Sequence, residues 1–462
     1  KRDHQLWCDF SRVLLRRETK RVICHMELEF CSARIENMHI CGIMKKRAWC
    51  CCICVLGTIL LMILFQTICD SNAITLYASW LNTKFYPKLH SITHNATGHQ
   101  NITSRRSYTS EKSYNVSAFA TCYNTTRPTE VEDLLCMTPP SFLPGYRNPC
   151  WYELEGKLRC LPYFHVIGMD KSASTDLFDR ICQHPSVLQN SGVLKKETMW
   201  WSWLRYGHWL QSSRQKESFS RYLKYFDNAT KQIENITDAA GNHILVTGDG
   251  TPMDFWDFSG WPLIPQNRGL TEPKILTPHL IRHINPNVKL FLILRDPVDR
   301  LYSDYFFLGL GPQSVQGFSD SVDLSLQLLD RCIKEKSLRL CIFNRGIHLK
   351  MKARLHLGFY SIFLKEWLAV FPREQLLIFR TEDFSKDISS HIELAFNFLD
   401  LKPLSSDEMK IIAQAPHKYE TVRKRRMKPM PSDTRQKLVA LYKDTKEELA
   451  HMLQDNRFLW QT

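Results

Sequence analysis

The stretch that most restricts how this chain folds is residues 163–183, YFHVIGMDKSASTDLFDRICQ. Residues 164–168 read as a short buried strand, a run of small and polar residues follows around Lys171, and Leu177, Phe178 and Ile181 then recur at the spacing of one helix face. A chain that passes from strand to helix through so tight a loop gathers free backbone N–H groups and the positive end of a helix dipole at one point. That arrangement favours a phosphate-like anion, and Lys171 adds a full positive charge to it. The spacing is not the GxxxxGK[ST] of nucleoside triphosphatases, since the only glycine is Gly168 and the lysine precedes the hydroxyls. Taken alone, a Ser/Thr-capped helix with a nearby lysine explains the segment equally well.

Two other segments carry candidate chemistry. RDPVDRLYSDY, residues 295–305, follows the apolar run VKLFLIL, and Asp296 or Pro297 is suited to open a helix there. Arg295 and Ser303 would then lie about two turns apart, able to grip a phosphate through a charge-assisted pair and a hydroxyl bond; an Arg295–Asp299 pair is the plainer alternative. KKETMWWSW, residues 195–203, places Glu197 between lysines and aromatics. A carboxylate so placed suits a general base toward an acceptor hydroxyl, and Trp200, Trp201 and Trp203 are candidates for stacking on sugar rings. The competing readings are a surface Lys196–Glu197 pair and ordinary aromatic core packing.

The 462 residues exceed one average domain, and the net charge of +14 fits an acidic partner without choosing among nucleic acid, anionic lipid, nucleotide phosphates and a polyanionic glycan. Residues 49–68, WCCCICVLGTILLMILFQTI, hold no charge and are long enough to cross a bilayer as a helix. Lys45, Lys46 and Arg47 precede them, which predicts a cytosolic segment 1–48 and a luminal remainder; a cleaved signal peptide is the alternative. Residues 69–132 are rich in Ser, Thr, Asn and Tyr and read as a stem. Glycosylation sequons occur at Asn95, Asn101, Asn115, Asn124, Asn228 and Asn235 and nowhere in residues 1–70, in agreement with that topology. Of the 16 cysteines, nine precede residue 70; the later ones lack paired CxxC spacing, which argues against a zinc site and for disulfides in an oxidising lumen.

Residues 133–462 read as the folded domain. Helices are predicted over 222–236, 321–334 and 357–371, and strands over 243–247 (HILVT), 288–294 and 375–379 (QLLIF). A last helix, capped by Ser432, carries Leu438, Leu441, Tyr442, Thr445, Leu449 and Met452 on one face. Strands alternating with helices predict an α/β fold with a largely parallel central sheet flanked by helices.

The segments CLPYFHVIG, Lys171 with TDLFDR, KKETMWW, LRDPVDRLYSDY, CIKEKSLRLC and LGFYSIFLKEWLAVF, in this order, resemble the Golgi carbohydrate sulfotransferases that draw on 3′-phosphoadenylyl sulfate (PAPS). The likeness is greatest to those that sulfate the 6-hydroxyl of 4-sulfated N-acetylgalactosamine (GalNAc). The resemblance implies a P-loop-like sulfotransferase fold behind one transmembrane helix and a stem, with a glycosaminoglycan as partner rather than nucleic acid and no need for a metal. It implies that Lys171, Ser172, Ala173, Ser174 and Thr175 bind the 5′-phosphosulfate and that Arg295 and Ser303 bind the 3′-phosphate. Arg423 and Arg425 would close over the nucleotide, although a solvated charge run explains that stretch as well. Glu197 is implied as base with Lys171 assisting the leaving phosphate, Lys196, Trp200 and Trp201 as acceptor contacts, and Cys332 with Cys341 as a disulfide. The chain departs from the family pattern at Ala173, where glycine is usual, at Ser174, often threonine, and at Asp170, where proline or arginine is usual. Gly250 stands where heparan sulfate relatives carry lysine. A Cβ at 173 is expected to restrict backbone approach to the phosphate, and an acid at 170 to oppose it unless turned away. Another glycan acceptor such as heparan sulfate, or a silent homologue that only binds sulfated glycan, are the rival expectations.

Overall fold

The computed structural model of the chain describes residues 131–209, 212–417 and 428–461. The predicted membrane run at 49–68, the four sequons from Asn95 to Asn124, and Arg423 and Arg425 lie outside these residues. Among the described residues no helix is long and apolar enough to cross a membrane.

Among the described residues nine strands form three sheets: β1 (Cys150–Tyr152), β2 (Leu158–Cys160), β3 (Phe164–Gly168), β4 (Val187–Leu188), β5 (His208–Trp209), β6 (Ser212–Ser213), β7 (Val246–Asp249), β8 (Lys289–Leu294) and β9 (Leu376–Arg380). The central sheet has the order β4-β7-β3-β8-β9, and every pairing in it is parallel. Its alternating side chains explain how it is covered. Phe164, Val166, Phe291 and Ile293 enter one apolar cluster with Leu177, Phe178, Ile181 and Phe396, whereas Ile167, Leu290, Leu292 and Leu294 enter another with Val298, Leu301 and Trp367. A strand with period-two side chains that are apolar on both faces must be covered on both, which is the requirement of a buried parallel sheet.

The strand Phe164–Gly168 has the predicted limits. The strand expected at 243–247 is instead Val246–Asp249, because His243 is drawn off the sheet: it forms an isolated bridge with Tyr146 and stacks on its ring at 3.8 Å. The helix expected over 222–236 is broken into Phe219–Leu223, a 3-10 turn Lys224–Phe226 and Asp227–Asn235. The helix Val315–Ile333 starts earlier than expected because Ser314 caps it, accepting from Gly317 N. The predicted helix at 357–371 is Tyr360–Leu368. In the last helix, Ser432–Leu453, the cap is Pro431 and Ser432 is the first helical residue, while Leu438, Tyr442, Thr445 and Leu449 are buried as expected. Tyr442 reaches Leu355 O at 2.9 Å across Gly358, where a Cβ would lie 2.4 Å from the Tyr442 ring.

Packing begins slightly before the expected domain boundary: Val131 is already buried, and the Glu132 carboxylate accepts from Phe219 N at 2.6 Å. Two disulfides between described cysteines staple surface elements. Cys150–Cys160 ties β1 to β2, and Cys332–Cys341, the pair implied by the family resemblance, ties the end of Val315–Ile333 to Leu338–Ile342. With a sequence separation of 9, loop-closure entropy gives the second bridge a worth of about 2–3 kcal/mol. Replacing both Cys332 and Cys341 by serine is therefore expected to lower stability by about that amount, read from the denaturant midpoint; an unchanged midpoint would show that the bridge constrains nothing.

Candidate active site

The carboxyl ends of β3, β7 and β8 converge, as ligand sites do in open α/β sheets. After β3 the chain turns through Met169–Ala173 into the helix Ser174–Ile181, whose N-cap Ala173 offers no side-chain bond. Lys171 (φ 61°) and Ala173 (φ 67°) both adopt the left-handed conformation. The glycine usual at 173 is thereby explained by backbone conformation, since a Cβ in this region costs about 1–2 kcal/mol. The first helical bond is Leu177 N to Ala173 O at 3.0 Å, so the N–H groups ahead of it have no acceptor within the helix. Ser172 Oγ is buried without a hydrogen-bond partner.

The loop is fastened to the end of β8 and to the residues beyond β8 and β9. Thr381 Oγ1 bonds both Ser172 O (2.9 Å) and Leu294 O (3.0 Å), Arg295 Nη1 donates to Lys171 O (3.4 Å), and Tyr360 OH donates to Arg295 O (2.9 Å). Asp296 caps the helix Pro297–Leu308, which carries Ser303 buried on it. Arg295 thus lies against the loop, and the Asp299 that could have taken it pairs with Arg435 at 2.6 Å instead.

Asp170 turns aside. Its Oδ2 accepts from Trp256 Nε1 at 2.7 Å and lies 3.8 Å from Arg354 Nη2. Burial pushes the Asp170 carboxyl up, and Arg354 opposes it. Arg354 also holds Asp304, with Nε to Oδ2 at 2.9 Å and a second bond from Nη2, and Arg300 stands 3.6 Å from the same carboxylate. Burial acts to raise Asp304, but Arg354 and Arg300 outweigh it and keep it below the usual range. Lys171, with its Nζ 3.6 Å from the Phe307 ring, is pulled down to about 8 by burial, with Asp304 and Asp170 acting against the shift.

Glu197 is not part of a surface pair. Lys196, 1% exposed, bonds Glu197 Oε1 at 2.8 Å and Thr175 Oγ1 at 3.1 Å, so the expected base and the anion loop share one ammonium. The segment is held from behind by Asp249 at the end of β7, which accepts from Thr198 Oγ1 (2.6 Å), Thr251 Oγ1 (2.7 Å) and Tyr222 OH (3.3 Å). Asn190 Nδ2 bonds both Lys196 O (2.7 Å) and Gly248 O (2.8 Å). His165 and Asp254 lie beside Asp249, with side-chain atoms within 4.8 Å of one another. Burial brings His165 down to about 3 and pushes Asp254 well up, with the neighbouring Asp249 adding to the second shift.

The expectation that Trp200 and Trp201 stack on sugar rings is corrected. They are 0% and 2% exposed and pack on each other, with Tyr222 against both, and Trp203, the third candidate, is buried with its Nε1 donating to Asp257 Oδ2 at 2.6 Å. Burying such a ring removes about 150–250 Å² from water, worth about 4–6 kcal/mol, so the core takes these indoles. Sequence reasoning missed Arg354, Asp304, Trp256 and Thr381. Asp304, Trp256 and Thr381 sit in or directly after segments that their strand ends already single out, but Arg354 carries no local signal because its partner Asp304 is 50 residues away.

A family model described as "Sulfotransferase domain" matches residues 164–436. Carbohydrate sulfotransferase 15 of Mus musculus is 32% identical over 71% of this chain and 67% of its own length, and the Homo sapiens protein of the same name is 31% identical over the same shares. The chain belongs to the carbohydrate sulfotransferase family. A sulfotransferase from Alicyclobacillus acidocaldarius overlaps 64% of this chain and 97% of its own, at 18% identity and a TM-score of 0.42. As a carbohydrate sulfotransferase the protein is an enzyme with a PAPS-type donor. Its β3 loop fits such a donor on its own chemistry: an orphaned Ser172 hydroxyl, helix-start N–H groups, the Lys171 ammonium and the Arg295 guanidinium meet there.

Two consequences are measurable. Lys171 is charged below about pH 8 and neutral above it. Affinity for the desulfated donor PAP is therefore expected to fall as pH rises above about 8, where the PAP phosphates no longer titrate, by at most about tenfold per unit for one linked proton. Calorimetric titration with Lys171→Arg, which does not titrate in this range, is expected to abolish the alkaline fall; a persistent fall would assign it to another group. Ala173→Gly is expected to raise stability by about 0.5–1 kcal/mol, the left-handed penalty less glycine's unfolded-state entropy, with PAP binding kept. Ala173→Val is expected to lose both, as read from thermal melting with and without PAP.

Proposed function

We propose that this sulfotransferase is a single-pass type II protein of the Golgi membrane that modifies a glycosaminoglycan, at the 6-hydroxyl of 4-sulfated GalNAc in chondroitin or dermatan sulfate. The observation that carries the reading is the carboxylate of Glu197 set beside the donor loop through Lys196 and Thr175. PAPS, when bound, supplies the sulfuryl group and departs as PAP. Glu197 takes the proton of the attacking acceptor hydroxyl, Lys171 offsets charge growing on the leaving 5′-phosphate oxygen, and the helix-start N–H groups with Ser172, Ser174 and Thr175 hold that phosphate. Arg295 and Ser303 grip the 3′-phosphate. Positioning and fixed charge suffice for such an in-line transfer, by analogy with phosphoryl transfer.

The acceptor reading draws on the likeness to proteins named carbohydrate sulfotransferase 15. The luminal reading is supported by the basic residues before the apolar run, by the disulfides, and by the exposure of both described sequon asparagines, Asn228 and Asn235. The silent-homologue alternative rests on Asp170 and Ala173, and the turn of Asp170 toward Trp256 and Arg354 removes the electrostatic half of its motive.

The test is transfer from labelled PAPS to a panel of chondroitin, chondroitin 4-sulfate, dermatan sulfate and heparan sulfate, with disaccharide analysis. New sulfate on carbon 6 of 4-sulfated GalNAc is expected, and label confined to heparan sulfate would overturn the acceptor. Glu197→Gln is expected to lower kcat by about 10²–10⁴-fold while PAP affinity stays within a few fold; near-normal transfer would remove Glu197 as base.

A further inference from the structure

The stem of Lys196 runs through a channel that only glycine leaves open. A Cβ on Gly250 would lie 2.5 Å from Lys196 Cγ, 2.8 Å from its Cε and 2.6 Å from Phe178 Cδ2. The backbone at Lys196 is pinned as well, with its carbonyl accepting from Asn190 Nδ2 (2.7 Å) and Gly250 N (2.9 Å) and its N–H bonded to Val193 O (3.0 Å). Stem and backbone are therefore fixed, and the position left to choose is that of the ammonium. It sits between two acceptors of different kind: the Glu197 carboxylate at 2.8 Å and the Thr175 hydroxyl of the donor loop at 3.1 Å.

With only the protein's own groups around it, the carboxylate is the stronger acceptor for that ammonium. That oxygen of Glu197 is then engaged, and the ammonium fixes the direction in which the carboxylate points. An anion carrying several negative oxygens, seated against Thr175, places competing charge within reach of the same nitrogen in a buried setting where pair energies are large. Resting on the functional reading above, we propose that Lys196 is a donor-sensing positioning residue: its ammonium holds Glu197 until the donor phosphate draws it away, which frees the carboxylate for the acceptor. Gly250 serves this arrangement by leaving room for the stem.

The arrangement makes donor and acceptor binding cooperative, and linkage requires the effect to be reciprocal. The experiment measures the affinity of a chondroitin 4-sulfate hexasaccharide for the luminal protein, in the absence of PAP and at saturating PAP, by calorimetry. In the wild type PAP is expected to tighten hexasaccharide binding by about tenfold, a coupling within the usual range. Lys196→Met keeps an apolar stem in the channel and removes the ammonium; it is expected to reduce the coupling to less than twofold, chiefly by tightening binding without PAP. Thr175→Val, which leaves the lysine in place, is expected to keep at least half of the coupling on a logarithmic scale, and melting curves with PAP show that both variants are folded. Equal coupling in the wild type and Lys196→Met, or no coupling in the wild type, overturns the proposal. Transfer assays run in parallel separate the two levels: a wild type that sulfates the hexasaccharide without coupling refutes the switch alone, whereas one that sulfates no glycosaminoglycan refutes the functional reading.

Discussion

The buried side chain of Asp249 is the interaction on which the Glu197 side of the site depends. It ends β7 directly beside β3, in register with His165, and the side chains that donate to it are the neutral hydroxyls of Thr198, Thr251 and Tyr222. Burial pushes its carboxyl up, while the bonds from Thr198 and Thr251 favour the charged form. Those same bonds fix the main chain: Thr198 is anchored next to Glu197, and Thr251 Oγ1 in turn receives Met199 N at 3.1 Å. Breaking one of these bonds leaves a buried acceptor short of a donor, at a cost of about 1–3 kcal/mol, so the segment from Lys196 to Met199 has little freedom to move away from the donor loop.

The donor side is organised by a different distribution of charge. Within reach of Lys171 stand two carboxylates, Asp170 and Asp304, and the guanidiniums of Arg295 and Arg354. Arg354 spans both acids, so the charge of the acid that the loop carries is met by a guanidinium inside the protein. Lys171 and Arg295 stand beside that arrangement, with Arg295 donating to the Lys171 carbonyl. Thr381, bonded to the loop and to the end of β8 alike, makes these two segments one unit.

The parts of this site that could be read from sequence are the parts made by neighbours in sequence. The strand at 164–168, the helix after it and the cap at Asp296 follow from local periodicity and from residues that open helices. Lys171 and Arg295 are recognisable because each follows a strand. The two tryptophans are not assignable, since an indole suits a sugar face and a core equally well, and only the packing of Tyr222 and Phe219 decides between them. Arg354 is invisible for another reason: an arginine in a loop has no periodicity, and its meaning comes wholly from acids on two distant elements. His243 shows the converse, a strand-forming sequence pulled away by a ring partner nearly a hundred residues earlier.

Asp170 and Ala173, the positions where the chain leaves its family's pattern, bear differently on the chemistry. The cost at Ala173 is conformational and confined to one residue, about 1–2 kcal/mol at most, and it is offset by fixed contacts on either side, Ser172 O to Thr381 and the helix bond from Leu177. It weighs on folding and leaves the N–H groups where an anion needs them. The difficulty at Asp170 is electrostatic and would fall directly on donor binding if its charge faced the phosphate. Its bond to Trp256 and its proximity to Arg354 tie it to the segment after β7 and to the Asp304 pair instead. An acid in that place therefore acts as a tether, and the loop that would otherwise rely on glycine and proline for its shape is held by hydrogen bonds and charge from three separate elements.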